Sequence, residues 1–272
     1  MKSKALITMC VLGAALAEAR ADTLTAEDTA PAQVTLPKER FVLDVFVEIN
    51  LSKDEAFKPF SISPDLWYGI TDEITVGLIH SGNGELGFIG PVGTSLCLSG
   101  SDNGCPHVYD NIGGEVRYKL LEGEYAVALD GGLFFDSFDP NVFLKLKVGA
   151  IGRWQKDRFA VEAAPAFLFG LTNRTVDIGP LSVTVNGDFL LLPITGMYTV
   201  APKTVLAVQT GFVIPFQNTG DTWQLPLSFG VHYLVIDRLN LTAAFTLLRL
   251  AGGSSADAFD GRSLTIGGSY AF

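Results

Sequence analysis

From Phe41 onward the chain alternates. Phe41, Leu43, Val45, Val47, Ile49 and Leu51 share one side of an extended segment, while Val42, Asp44, Phe46, Glu48 and Asn50 share the other. A two-residue period is the signature of a strand whose two faces meet different surroundings. The pattern returns at 112–120, where Ile112, Gly114, Val116, Tyr118 and Leu120 oppose Gly113, Glu115, Arg117 and Lys119. It returns again at 142–153, where Val142, Leu144, Leu146 and Val148 oppose Phe143, Lys145, Lys147 and Arg153. Further strands are predicted at 61–70, 74–80, 125–134, 159–170, 187–199, 204–214, 224–235, 238–248 and 262–272, which makes twelve. In the eighth, the run Phe189 to Pro193 has no clean alternation, and its faces stay unassigned.

The connections alternate in length. Tight links at 71–73, 121–123, 155–157, 201–203 and 236–237 suit hairpin turns. Those at 52–60, 81–111, 135–141, 171–186, 215–223 and 249–261 are long and rich in Gly, Asp, Asn, Ser and Pro. An even strand count with short turns on one rim and long loops on the other predicts a transmembrane antiparallel up-and-down β-barrel spanning 41–272. A soluble sandwich or lipocalin-like barrel also alternates, but it turns its apolar face inward. Here the mixed face carries Glu115, Arg117, Lys119, Asp130, Lys145 and Lys147, which do not fill a dry core. Tyr68, Tyr118, Tyr125, Trp154, Phe159 and Tyr233 lie beside the short turns, where an interfacial aromatic girdle belongs.

Residues 1–21 read as a secretory signal peptide: Lys2 and Lys4 precede an apolar stretch, and small residues follow it near Ala19 and Ala21. Residues 22–40 are polar and Pro-containing, a flexible lead-in. Composition agrees with a membrane barrel, since the 272 residues are 48% hydrophobic and 18% charged, with mean hydropathy +0.32. Beyond the first twenty or so residues no apolar run reaches the length of about 20 that a helical span requires. The net charge of −10 becomes −12 when Lys2, Lys4 and Arg20 leave together with Glu18, which argues against nucleic acid as a partner. Cys97 and Cys105 flank a loop-like stretch and suit one local disulfide in an exported protein. A metal site on Cys97, Cys105 and His107 lacks a fourth ligand, so neither metal nor cofactor is expected.

The segment SLTIGGSYAF sets Leu264, Ile266, Gly268, Tyr270 and Phe272 on one face. It resembles the C-terminal strand of bacterial outer-membrane barrels, which implies recognition of Tyr270 and Phe272 by the barrel-assembly machinery and a place among outer-membrane lipids. The hairpin WYGITDEITVGL, with an echo in FGVHYLVIDRLNLTAAF, resembles hairpins of porin-like outer-membrane families, including one found with aromatic-degradation genes.

The inward charges are the leading functional residues. Asp44, Glu48 and Asp65 lie on the first two strands, whereas Arg117, Lys119, Lys145, Lys147 and Arg153 dominate the fourth and sixth. Separate acidic and basic walls would filter small polar or charged solutes passing through an open lumen. The competing reading is a structural lattice in which Glu115, Asp130 and Glu162 neutralise the bases and fill the lumen. A closed barrel of that kind would serve a structural, surface-binding or adhesion role through its loops. Trp67, Gln209, His232 and Asn240 share the inward parity. No GxSxG, HExxH or Walker context is present, and no enzyme is expected. The loop 81–111 has two readings, a constriction folded into the lumen or an outward extension.

Overall fold

A computed structural model describes residues 34–52, 60–90, 96–98, 107–109, 111–136, 138, 141–178, 181–217, 219–253 and 261–272. The alternating segments form strands β1 (Phe41–Asn50), β2 (Phe60–Gly69), β3 (Ile74–Ile79), β4 (Leu96–Cys97), β5 (Ile112–Leu121), β6 (Tyr125–Phe135), β7 (Leu144–Lys156), β8 (Phe159–Ala163) and β9 (Ala166–Gly170). They continue as β10 (Thr175–Ile178), β11 (Leu181–Thr184), β12 (Phe189–Ala201), β13 (Thr204–Pro215), β14 (Gln224–Ile236), β15 (Leu239–Gly252) and β16 (Arg262–Ala271). Two short helices, α1 (Gly82–Leu86) and α2 (Thr219–Thr222), lie in long loops.

All sheet pairings are antiparallel and the sheet closes on itself, β1 pairing with both β2 and β16. The seam runs in unbroken register from Val42 opposite Ala271 to Asn50 opposite Ser263. The Phe272 N–H extends it by donating to the Phe41 carbonyl at 2.9 Å. The ring has twelve positions because β8 and β9 together fill one, between β7 and β12. The break falls at Ala164–Pro165, where proline has no N–H for the ladder. Closure leaves no free edge among the twelve positions of the ring.

Val116, Leu129, Val148, Phe229, Leu241 and Ile266 point outward and are exposed, forming the apolar band a lipid-facing wall requires. Inside, Glu48, Asp65, Glu115, Asp130, Lys147, Gln209 and Asn240 are buried. Aromatic pairs ring the short-turn rim, with Phe41 stacked on Tyr68 at 4.3 Å, Phe159 near Tyr198 at 4.6 Å, and Tyr270 edge-on to Phe272 at 4.8 Å.

The long loops hold elements that alternation does not announce. β10 and β11 form a separate hairpin, and β4 adds to β2. Residues 34–40, the end of the stretch read as a lead-in, pack at the short-turn mouth. Val34 is buried against Ala128 and Ile151, and Leu36 packs on the cluster of Trp67, Ile79 and Phe134. The Leu36 N–H donates to Thr75 Oγ1 at 2.7 Å, and the Glu39 N–H to the Gly69 carbonyl at 2.8 Å. Residues 1–21, read from the sequence as a signal peptide, and Cys105 lie outside the described residues.

Candidate functional site: the lumen and its crossing loop

Residues 81–90 fold into the barrel. Asp65 on β2 anchors their start, its Oδ1 accepting from the His80 and Ser81 N–H groups at 2.7 and 2.8 Å and its Oδ2 from Ser81 Oγ at 2.5 Å. Ser81 caps α1 by accepting from the Gly84 N–H at 2.8 Å, and Gly87 ends the helix with φ 71°. Phe88 then enters an apolar pocket of Leu168 and Leu191, flanked by Leu86, Phe189 and Val213. Burying that ring contributes about 1.5–3 kcal/mol. This explains the lost alternation in the eighth predicted strand: Leu191 and Pro193 face inward and are buried, and Leu191 is apolar there because a loop residue covers it.

Beyond Phe88 the loop reaches the far wall. Gln209 brackets it, donating through Nε2 to the Gly87 carbonyl at 2.9 Å and accepting from the Ile89 N–H at 2.8 Å. Ser228 Oγ lies 3.5 Å from the Ile89 carbonyl. Gly90 has φ +107°, and a Cβ there would stand 2.4 Å from Ser263 Oγ and 2.8 Å from Thr246, so only glycine fits. The loop therefore crosses the lumen from β2 to β13 and β14 as a constriction and then follows that wall to β16.

The basic residues are interleaved with carboxylates. Lys147 Nζ meets Glu115 Oε2, Asp130 Oδ2 and the Gly84 carbonyl, each at 3.0 Å, which saturates its three N–H donors. Arg117 bonds Glu115 Oε1 through Nη2 at 2.8 Å and Nε at 2.9 Å, and its guanidinium lies 4.0 Å over the Trp67 ring. Trp67 in turn lies across Gly77, where a Cβ would meet its ring at 2.5 Å. Lys145 pairs with Glu85 of α1 at 3.2 Å and with Asp136. Arg153 Nη1 stands 4.0 Å from Glu162, and Lys119 pairs with Glu122 at 2.9 Å near the short turns. Asp136, just past the end of β6, has its carboxyl pushed up to about 7, first by burial and then by Glu85, against the pull of Lys145.

The structure thus divides the lumen into three sectors. Asp44, Glu48 and Asp65 form an acidic strip on β1 and β2, with Glu48 accepting from Ser61 Oγ at 3.2 Å. Ion pairs fill β5 to β8. The arc from β13 to β16 is neutral: Gln209, Ser228, His232, Asn240, Thr242, Thr246, Ser263, Thr265 and Ser269. His232 Nδ1 is 2.8 Å from Thr242 Oγ1, and Ser228 Oγ is 2.7 Å from Thr246 Oγ1. Sequence reasoning missed Ser81, Phe88 and Glu85, although the unexplained Leu run at 190–192 was a signal that something apolar enters the lumen.

No family model matches this chain, and no curated protein matches it significantly. Among solved structures, the COG4313 outer membrane channel from Pseudomonas putida F1 aligns over 88% of this chain and 97% of its own, with TM-score 0.53 and 13% identity. The KdgM porin aligns over 85% of this chain and 99% of its own, with TM-score 0.50 and 10% identity. The chain has the fold of the outer-membrane β-barrels. Within that fold, this barrel's interior is set by its own ion pairs and its own crossing loop.

Proposed function

We propose that this barrel is a channel of the bacterial outer membrane for passive passage of small polar or charged solutes, with residues 1–21 removed on export. The observation that carries the reading is a cavity of about 310 Å³ inside the barrel, between Val34, Thr35 and Leu36 at the short-turn end and Asn83, Gly84, Gly87 and Ile89 of the loop. Polar or charged side chains reach it from every position of the ring, alongside apolar ones such as Val42, Trp67 and Met197, and they give water and solute hydrogen-bond partners there. The fold shared with a structure described as a channel and one described as a porin supports the same reading. In this reading the short turns and both ends of the chain face the periplasm, Tyr270 and Phe272 serve recognition by the assembly machinery, and a Cys97–Cys105 bridge stiffens the outer loop.

The test is single-channel conductance of the purified, refolded protein in a planar bilayer. Discrete current steps are the expected result. Electrical silence from a barrel shown to be folded by heat-modifiable migration would favour the second reading, a closed barrel acting through its loops. That reading draws on the loop and the 34–36 segment lying at opposite ends of the cavity.

A further inference from the structure

The cavity between the loop and residues 34–36 holds more acid than base. Asp44, Asp65, Asp130 and Glu162 line it together with Arg117 and Lys147, and His232 completes its titratable lining. Adding the contacting Glu115 and Arg153 gives five carboxylates against three permanent cations, an excess of two negative charges. Most of these groups are committed. Asp65 holds the loop, Glu115 and Asp130 share Lys147, and Arg117 is fixed between Glu115 and Trp67. Asp44 and Glu162 remain, the first facing the hydrogen-bond donors Ser269 and Trp67, the second 4.0 Å from Arg153. They sit on β1 and β8, six positions apart in a ring of twelve, and so on opposite walls.

Around Asp44 the register builds a row of oxygens. Asp65 and Ser269 lie directly across from Asp44 on its two neighbouring strands, and Asn240 lies across from Ser269 on the next. Asn240 Oδ1 and Thr265 Oγ1 also have no hydrogen-bond partner among the described residues, although the two residues are only 5% and 3% exposed and both line the cavity. A buried amide oxygen left without a donor is costly unless something fills the role. Carboxylate, amide and hydroxyl oxygens together match a hard cation or an ammonium group.

We propose that the row Asp44, Ser269 and Asn240 is a binding site for a small monovalent cation, an alkali ion or a primary ammonium, and that it makes the channel cation-preferring. The proposal rests on the channel reading. Arg117 opposes it with one positive charge, which Glu115 offsets at 2.8 Å.

The experiment is reversal-potential measurement on the full-length barrel in planar bilayers under gradients of KCl and, separately, of ethanolamine hydrochloride. The expected wild-type permeability ratio is about fivefold or more for potassium over chloride. Asp44→Asn should lower it by about threefold and Glu162→Gln in the same direction. Preference in both salts assigns the site to organic ammonium as well as alkali ions, and preference in KCl alone restricts it to the latter. Folding of Asp44→Asn is checked by heat-modifiable migration, and if that variant does not fold, Asn240→Leu is expected to lower the ratio in its place. Conductance with anion preference, or a ratio that these variants leave unchanged, overturns the cation site while the channel stands. Silence overturns both.

Discussion

The wall from β5 to β8 and the arc from β13 to β16 face the same lumen with opposite strategies. The first is built from formal charges that meet one another, the second from hydroxyls and amides that carry none. A paired charge inside a barrel is held by the field of its partner, and removing one member leaves the other uncompensated. A hydroxyl can turn, and water can replace its partner at small cost. The crossing loop joins both, through Lys145 and Lys147 on one side and Gln209 and Ser228 on the other. The ion-pair wall fixes geometry, and the neutral arc leaves room for exchange of partners.

That contrast is most directly broken at Lys147. Lys147→Met takes the ion-pair partner from Asp130 and leaves Glu115 with Arg117 alone, and the expected loss is about 3–5 kcal/mol, read as a lower denaturant midpoint for the folded barrel. Phe88→Ala empties the pocket at Leu168 and Leu191 that tethers the loop to the wall beside the arc. It is expected to cost about 3 kcal/mol of loop docking and to increase open-channel current noise together with mean conductance. Asp136 gives a pH test on the charged side. Its folded carboxyl titrates near 7, above its ordinary 3.8, so the stability it contributes is fully present below about pH 4 and lost as pH rises through about 7. The loop should therefore hold less firmly at pH 8 than at pH 6, seen as rising current noise, and Asp136→Asn should flatten that step. On the neutral arc, Thr242→Val removes the partner of His232 and is expected to cost about 1 kcal/mol. A loss as large as that of Lys147→Met would erase the distinction between the walls.

The barrel itself was legible because lipid outside and water inside impose opposite demands on alternate residues, as in Val116 against Glu115 and Arg117. Strand number and order followed from turn spacing alone. Of the twelve segments, that over 159–170 breaks in two at Ala164–Pro165, and others shift at their ends by a few residues, as 238–248 does to Leu239–Gly252. The interior was less legible. Parity placed Glu115, Asp130, Lys145 and Lys147 inward, but partner choice depends on which strands adjoin and on a loop 60 residues away in sequence, as in Lys145 with Glu85. Strand pairing brings Glu115 and Asp130 to Lys147, while Asp44, Glu48 and Asp65 stay apart from the bases as an acidic strip. The path of residues 81–90 was invisible because glycine-rich sequence permits many courses, and the deciding contacts at Gln209 and Ser228 are non-local.

The loop's contacts at Gln209 and Ser228 lie 120 and 139 residues downstream of Ile89, and Gly90 rests against Ser263 of the closing strand. The loop's place thus depends on strands that follow it far along the chain, and contacts of such sequence separation cost more loop-closure entropy than local ones. The strand that makes the wall continuous is also the one on which the loop comes to rest, so closure of the barrel and placement of its constriction share β16.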